Sequence, residues 1–150
     1  MATVDAALLD TDVFSALFVT PPQVVDKQGH PVAAWTMALT GRRPLISFQT
    51  RAEVLSGAYL AGWGEKRLEA LFAILDAMPT IDEDRAVVEA YARLLAAAQK
   101  AGHPFGNNAH HVGDRWIAAC AIAKDVPLLT GNHKHFDGAP GLTLLTIKRG

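Results

Sequence analysis

The stretch Ala6-Ala7-Leu8-Leu9-Asp10-Thr11-Asp12-Val13-Phe14 joins an apolar run to a helix start through a pair of acids. Short continuous apolar runs suit strands buried on both faces, so Ala6 to Leu9 predicts a strand that ends at Asp10. Asp12 is then placed to cap a helix from Val13, with Phe14, Leu17 and Phe18 on one side. Pro21-Pro22 stops that helix, and the residues to Gly29 predict a loop. A buried strand running straight into a helix is the repeating unit of α/β folds. In such folds ligands bind beyond the carboxyl ends of parallel strands, where Asp10 lies.

The rest of the chain continues the alternation. Val32 to Leu39 predicts a helix, and Leu45-Ile46-Ser47-Phe48 a second strand after the turn residues Gly41 to Pro44. Thr50 opens a helix with Val54, Leu55, Ala58 and Tyr59 on one face. Beyond Gly62 and Gly64, Leu68, Leu71, Phe72 and Leu75 form the stripe of another, which Pro79 ends. Thr80-Ile81 predicts a brief strand. A long helix from Glu83 turns Val87, Tyr91, Leu94, Leu95 and Ala98 inward and closes at Gly102. Residues 103–113 predict a loop. Trp116 to Ala123 is apolar nearly all round, which predicts a central buried helix. Pro127-Leu128-Leu129 and Leu142 to Leu145 predict the last strands. The expected architecture is one α/β domain over residues 1–150, with a mainly parallel central sheet of four to five strands flanked by helices.

Composition narrows the function classes. The chain has 150 residues, half of them hydrophobic and 19% charged, so a compact core is expected. Its formal net charge of −1 provides no global positive field, and a nucleic-acid partner would have to be held locally. Cys120 is the single cysteine, which excludes an intrachain disulfide and a paired-cysteine zinc motif. Met1 to Leu9 lacks the basic start of a signal peptide, and no apolar run reaches membrane-spanning length. The expected location is the cytoplasm.

Asp10, Glu53 and Asp114 fall where such a sheet would put a site. Each also has a structural explanation: Asp10 as a helix cap, Thr50 to Glu53 as a capping box, and Asp114 after Gly113 as an ordinary N-cap. Convergence would change the balance, because each like-charged pair at ~4 Å costs on the order of 4 kcal/mol at an effective dielectric of 20. A cation or raised pKa values would then be required. An oxygen-only set favours a hard ion, Mg²⁺ or Mn²⁺, which can polarise a phosphoryl oxygen and activate water.

The chain resembles the PIN-domain ribonucleases, specifically VapC-type toxins of bacterial toxin–antitoxin pairs. The resemblance rests on Leu8 to Phe14, Ile46 to Val54, Gly57-Ala58 and Gly62-Trp63-Gly64. It continues through Asp114 to Ala119, then Pro127 to Asn132 with Phe136, in the family's order. It implies that Asp10, Glu53 and Asp114 hold Mg²⁺ and activate water against an RNA phosphodiester, with Thr11, Thr130 and Asn132 in support. It also implies a homodimer and a small antitoxin that places a basic side chain among the acids. Gly113 stands where relatives commonly carry Asn, the loop before it is longer, and His135 replaces an acidic residue. Arg51, Arg115 and the pairs His110-His111 and His133-x-His135 are candidate RNA contacts at the rim; the histidine pairs could hold phosphate or a second metal or be solvated loop residues, and the arginines could instead be surface residues or pair with nearby acids. Two rival functions are an inactive PIN-like module that binds RNA or a partner, and a receiver-type phosphoacceptor using Asp82 and Lys148.

Overall fold

The computed structural model describes residues 5–21 and 32–145. The expected loop from Pro22 to Gly29, and Lys148, lie outside the described residues. Strand β1 (Ala6–Leu9) leads into α1 (Thr11–Phe14), which widens into a π-helical turn over Ser15–Val19. Then come α2 (Val32–Ala38), β2 (Arg43–Ser47), α3 (Phe48–Leu60), α4 (Glu65–Ala77), β3 (Thr80–Ile81) and α5 (Arg85–Ala101). A short 3₁₀ turn at Pro104–Gly106 precedes α6 (Val112–Ala123), β4 (Leu128–Leu129) and α7 (His133–Phe136).

The four strands form one parallel sheet in the order β3-β2-β1-β4. Leu8 sits opposite Leu45 on one side and Leu128 on the other, and Ile46 sits opposite Thr80. The fifth expected strand shrinks to a single parallel bridge, Leu144 to Leu128. Two backbone bonds tie it on, Leu128 N–H to the Thr143 carbonyl (2.9 Å) and Leu145 N–H to the Leu128 carbonyl (2.8 Å).

Strand alternation divides the core in two, because successive side chains leave opposite faces. Leu8, Leu128 and Ile81 pack with Val87, Ala90, Leu94 and Ala98 of α5 and with Ile117 to Ala121 of α6. Leu9, Ile46 and Leu129 pack on the other face with Val13, Phe14, Trp35, Val54, Ala58, Leu71 and Leu75. The expected central helix is α6, whose residues from Ile117 to Ala121 are at most 1% exposed. Tyr59 departs from its expected inward position: it is 58% exposed, while Val54 and Ala58 carry the buried face of α3.

Three helix starts differ from their sequence assignments. The first helix starts at Thr11 rather than Val13, and of the two acids that could cap it Asp10 does so, with Oδ1 accepting from Thr11 N–H; Asp12 accepts from its neighbour Val13 N–H. Ser47 caps α3 by accepting from Thr50 N–H, so Thr50 and Glu53 form no capping box. His111 occupies the cap position of α6, which leaves Asp114 within the helix's first turn rather than at its cap. In each case the helix begins earlier than the apolar pattern indicated, since hydrophobic periodicity locates a buried face better than an end. Each earlier start frees an acid from capping or changes which amide it serves.

Gly106 is required by a close approach. A Cβ there would lie 2.6 Å from the backbone nitrogen of Gln99 in α5, whereas one at Gly57 would meet nothing within 4 Å. Gly106→Ala is therefore expected to destabilise the fold by about 1–3 kcal/mol. Gly57→Ala, inside α3, is expected to stabilise it by roughly 0.5–1 kcal/mol. Urea unfolding of the two variants checks this; equal effects would remove the steric argument.

Candidate active site

The order β3-β2-β1-β4 makes the gap between β1 and β4 the switch point, where successive connections leave in opposite directions. Asp10 stands at the carboxyl end of β1 in that gap and is only 4% exposed. Thr130, directly after β4 and fully buried, donates its hydroxyl to Asp10 Oδ2 at 2.7 Å. Asp10 N–H donates in turn to the Leu129 carbonyl at 2.9 Å. Asn132 N–H fixes the Thr130 hydroxyl from the far side at 2.9 Å. The carboxylate is thus held on two sides by groups that sheet formation brings together.

Glu53 reaches the site from α3. A chain of hydroxyls orients it: Thr11 Oγ1 donates to Glu53 Oε2 at 2.7 Å, and Thr50 Oγ1 lies 3.0 Å from Thr11 Oγ1. Because Thr11 spends its proton on the carboxylate, Thr50 must donate to Thr11 and accept from Ser47, whose hydroxyl is 3.3 Å away. Asp114 enters from the first turn of α6, where its Oδ2 meets His135 Nδ1 at 3.0 Å. The start of α6 lies close against α3, since a Cβ at Gly113 would sit 3.0 Å from Gln49 Nε2 and 3.6 Å from Glu53 Oε1.

Asp10, Thr11, Glu53, Asp114 and Asn132 line one groove of about 520 Å³, together with Asp12 and Trp63. Asp12 is the site residue that sequence reading assigned only to capping. Its Oδ2 accepts from Gly131 N–H at 3.1 Å, and the Asp10-x-Asp12 pair at a strand end was the available signal. Burial, then the charge of Asp12 and more weakly that of Asp114, push Asp10 up to about 8 against the hydrogen bonds from Thr130 and Thr11. Glu53 is exposed as a residue, but its carboxyl is partly desolvated; that and the charge of Asp114 raise its pKa despite the Thr11 hydroxyl.

Both arginines are engaged away from the groove, Arg51 by the pairing with a nearby acid that was the alternative to an RNA role. Arg115 is fully buried, and its guanidinium donates to the carbonyls of Phe105, Asn107, Asn108 and His110 at 2.7–3.4 Å. It fastens the loop over the start of α6 and is not an RNA contact. Arg51 is held by Asp76 of α4 at 2.6 Å and does not line the groove. Of the histidines, His111 and His135 meet with ring centroids 5.4 Å apart, and His110 borders His111 at 6.4 Å. His133 opens α7 outside that cluster.

The PIN-domain model matches residues 7–141. The chain belongs to the PIN-domain family. This PIN domain is similar in fold to the solved DNA-bound VapBC from Salmonella typhimurium, at 20% identity, covering 93% of this chain and 96% of that one, with a TM-score of 0.70. It is similar to VapBC2 from Rickettsia felis bound to a promoter DNA fragment, at 21% identity over 93% and 96% of the two chains, with a TM-score of 0.68. It also resembles VapBC-5 from Mycobacterium tuberculosis, a member of the VapBC family of toxin–antitoxin systems, at 26% identity over 95% and 98%, with a TM-score of 0.61. No curated protein matches the sequence significantly. Membership of this family removes the receiver-type reading. Among the described residues no helix is long and apolar enough to cross a membrane.

Two outcomes are expected from this geometry. Asp10 binds its proton more tightly folded than unfolded, so the folded state loses stability as pH rises from about 4 through about 8. Asp10→Asn removes that loss, and its melting temperature in EDTA should exceed the wild-type value by a margin that grows from pH 5 to pH 8. A constant margin would contradict the assigned cause. Arg115→Lys should lower the melting temperature, by roughly 2–4 °C per kcal/mol lost, because a compact ammonium cannot span four carbonyls. An unchanged melting temperature would show the loop to be held by other contacts.

Proposed function

We propose that this PIN domain is a VapC-type toxin, a cytoplasmic metal-dependent endoribonuclease in which Asp10, Glu53 and Asp114 form the catalytic set. The observation that carries the reading is the convergence of acids from β1, α3 and α6 on one groove, with Asp10 pushed up to about 8. Such crowding is relieved by a cation, and the carboxylate oxygens suit Mg²⁺, with Mn²⁺ as a substitute. Asp10, Glu53 and Asp114 would hold it. When bound, the ion supplies charge to the phosphoryl oxygen and lowers the pKa of water.

The chain's own groups have separable tasks. Thr130 and the Thr11 amide use one lone pair on each Asp10 oxygen and leave the others directed to a ligand. The hydroxyl relay through Thr50 and Thr11 fixes Glu53 Oε2 while leaving Oε1 available to orient water. Asn132 lines the groove as an uncharged support. The low charge of the whole chain leaves RNA affinity to contacts near the groove.

An antitoxin whose basic side chain enters the groove fits the same acid crowding, and the VapBC neighbours support such a partner. Met37, Tyr59 and Leu60 are 76%, 58% and 89% exposed, consistent with apolar surface reserved for a homodimer or the antitoxin.

Purified protein should cleave RNA with Mg²⁺ or Mn²⁺, stop in excess EDTA, and leave 5′-phosphate and 3′-hydroxyl ends. Asp10→Asn, Glu53→Gln and Asp114→Asn should each lower the rate by roughly a hundredfold or more. Cleavage that resists EDTA and leaves 2′,3′-cyclic phosphates would overturn the proposal, and folded protein without any cleavage would favour the inactive binding module.

A further inference from the structure

We propose that His111, Asp114 and His135 form a site for a borderline transition ion of the Zn²⁺ class, at the rim of the groove and sharing Asp114 with the acid set. The donor atoms of the three side chains lie within 4.8 Å of one another. His135 Nδ1 and Asp114 Oδ2 are 3.0 Å apart, close to the roughly 3.3 Å that separates two ligands on a tetrahedral zinc with bonds of about 2.0–2.1 Å. The two imidazoles meet edge to face, with ring centroids 5.4 Å apart and ring planes at 64°.

The ligands come from parts of the chain that are fixed in different ways. Arg115 binds the carbonyls of the preceding loop, including that of His110, and so sets where His111 stands. His111 itself has φ 60°, a left-handed conformation that histidine adopts rarely and that the surrounding structure must enforce. Asp114 is anchored in the first turn of α6. His135 lies on α7, whose Phe136 is buried in the core. The cluster is therefore assembled from three tethered positions, with His135 remaining solvent-exposed so that an ion can enter.

The donor chemistry distinguishes this site from the acid set. Two imidazole nitrogens and one carboxylate match catalytic zinc and non-haem iron sites and do not suit Mg²⁺, which prefers oxygen and near-octahedral geometry. Three protein ligands leave a position open for water or a phosphate oxygen. Because Asp114 serves both sites, a bound Zn²⁺ would draw its carboxylate toward the histidines. The inference rests on the cluster's own geometry and does not require the nuclease reading.

The test uses Co²⁺ as the probe, since its visible absorption is strong in four- or five-coordinate nitrogen and oxygen sites and weak in six-coordinate oxygen sites. Wild-type protein, Asp10→Asn and His133→Ala should each develop a visible band that saturates at one Co²⁺ per chain and that added Zn²⁺ removes. His135→Ala and His111→Asn should lose the band and bind about tenfold or more weakly. Asparagine is used at 111 because it tolerates the left-handed backbone. Should that variant fail to fold, the exposed His135→Ala carries the comparison. Co²⁺ should also shift the imidazole NMR signals of His111 and His135 in the unmodified protein more than those of His133. A wild-type protein without the visible band, a band unchanged in His135→Ala, or shifts that spare His111 and His135 would overturn the proposal. None of these readouts depends on RNA cleavage.

Discussion

Asp10 is a carboxylate held at 4% exposure between the ends of β1 and β4, where solvent can stabilise its charge only weakly. The sheet places it there. Its neighbours are a strand carbonyl bonded by its own amide, the Thr130 hydroxyl, and the first amide of α1. Two hydrogen bonds to the carboxylate do not offset the burial and the adjacent Asp12 charge, and the group keeps its proton to about pH 8. The strand pairing that builds the core thus also builds a site with a deficit of positive charge.

The remaining acids approach that deficit on independent supports. Glu53 is oriented by hydroxyls from both α1 and α3, and Asp114 by the start of α6. The loop before α6 is pinned to the core by the buried Phe105 and fastened by Arg115, whose guanidinium donates to four of its carbonyls. A buried arginine often signals an ion pair, because an isolated charge is costly to desolvate. Here backbone dipoles share that task, so the charge organises the rim without neutralising an acid.

Much of this was legible in the chain. Leu8-Leu9, Ile46, Ile117 to Ala121 and Leu128-Leu129 fall in the two cores, and the alternation of strands with helices foretold a parallel sheet. The positions of Asp10, Glu53 and Asp114 at element ends suggested a site, but each also had a capping explanation, and their convergence on one groove is visible only in the fold. Helix starts were less legible. The sequence pattern makes Ser47 a strand residue and Thr50 the start of a capping box, whereas Ser47 accepts the Thr50 N–H and caps the helix. Tyr59 was misplaced because a helical stripe does not reveal how wide the buried face is.

Local sequence determined which segments could bury themselves and which residue types stood at their ends, because hydrophobic period and turn chemistry act over a few residues. Tertiary structure decided the direction of each polar side chain. Arg115 turned inward because the loop carbonyls lay within its reach, and Arg51 turned to Asp76 on the next helix. His111 and His135 are far apart in sequence and meet only after α6 and α7 have docked on the sheet. Contacts of that kind depend on distances set by the packed core, and no pattern within either segment encodes them.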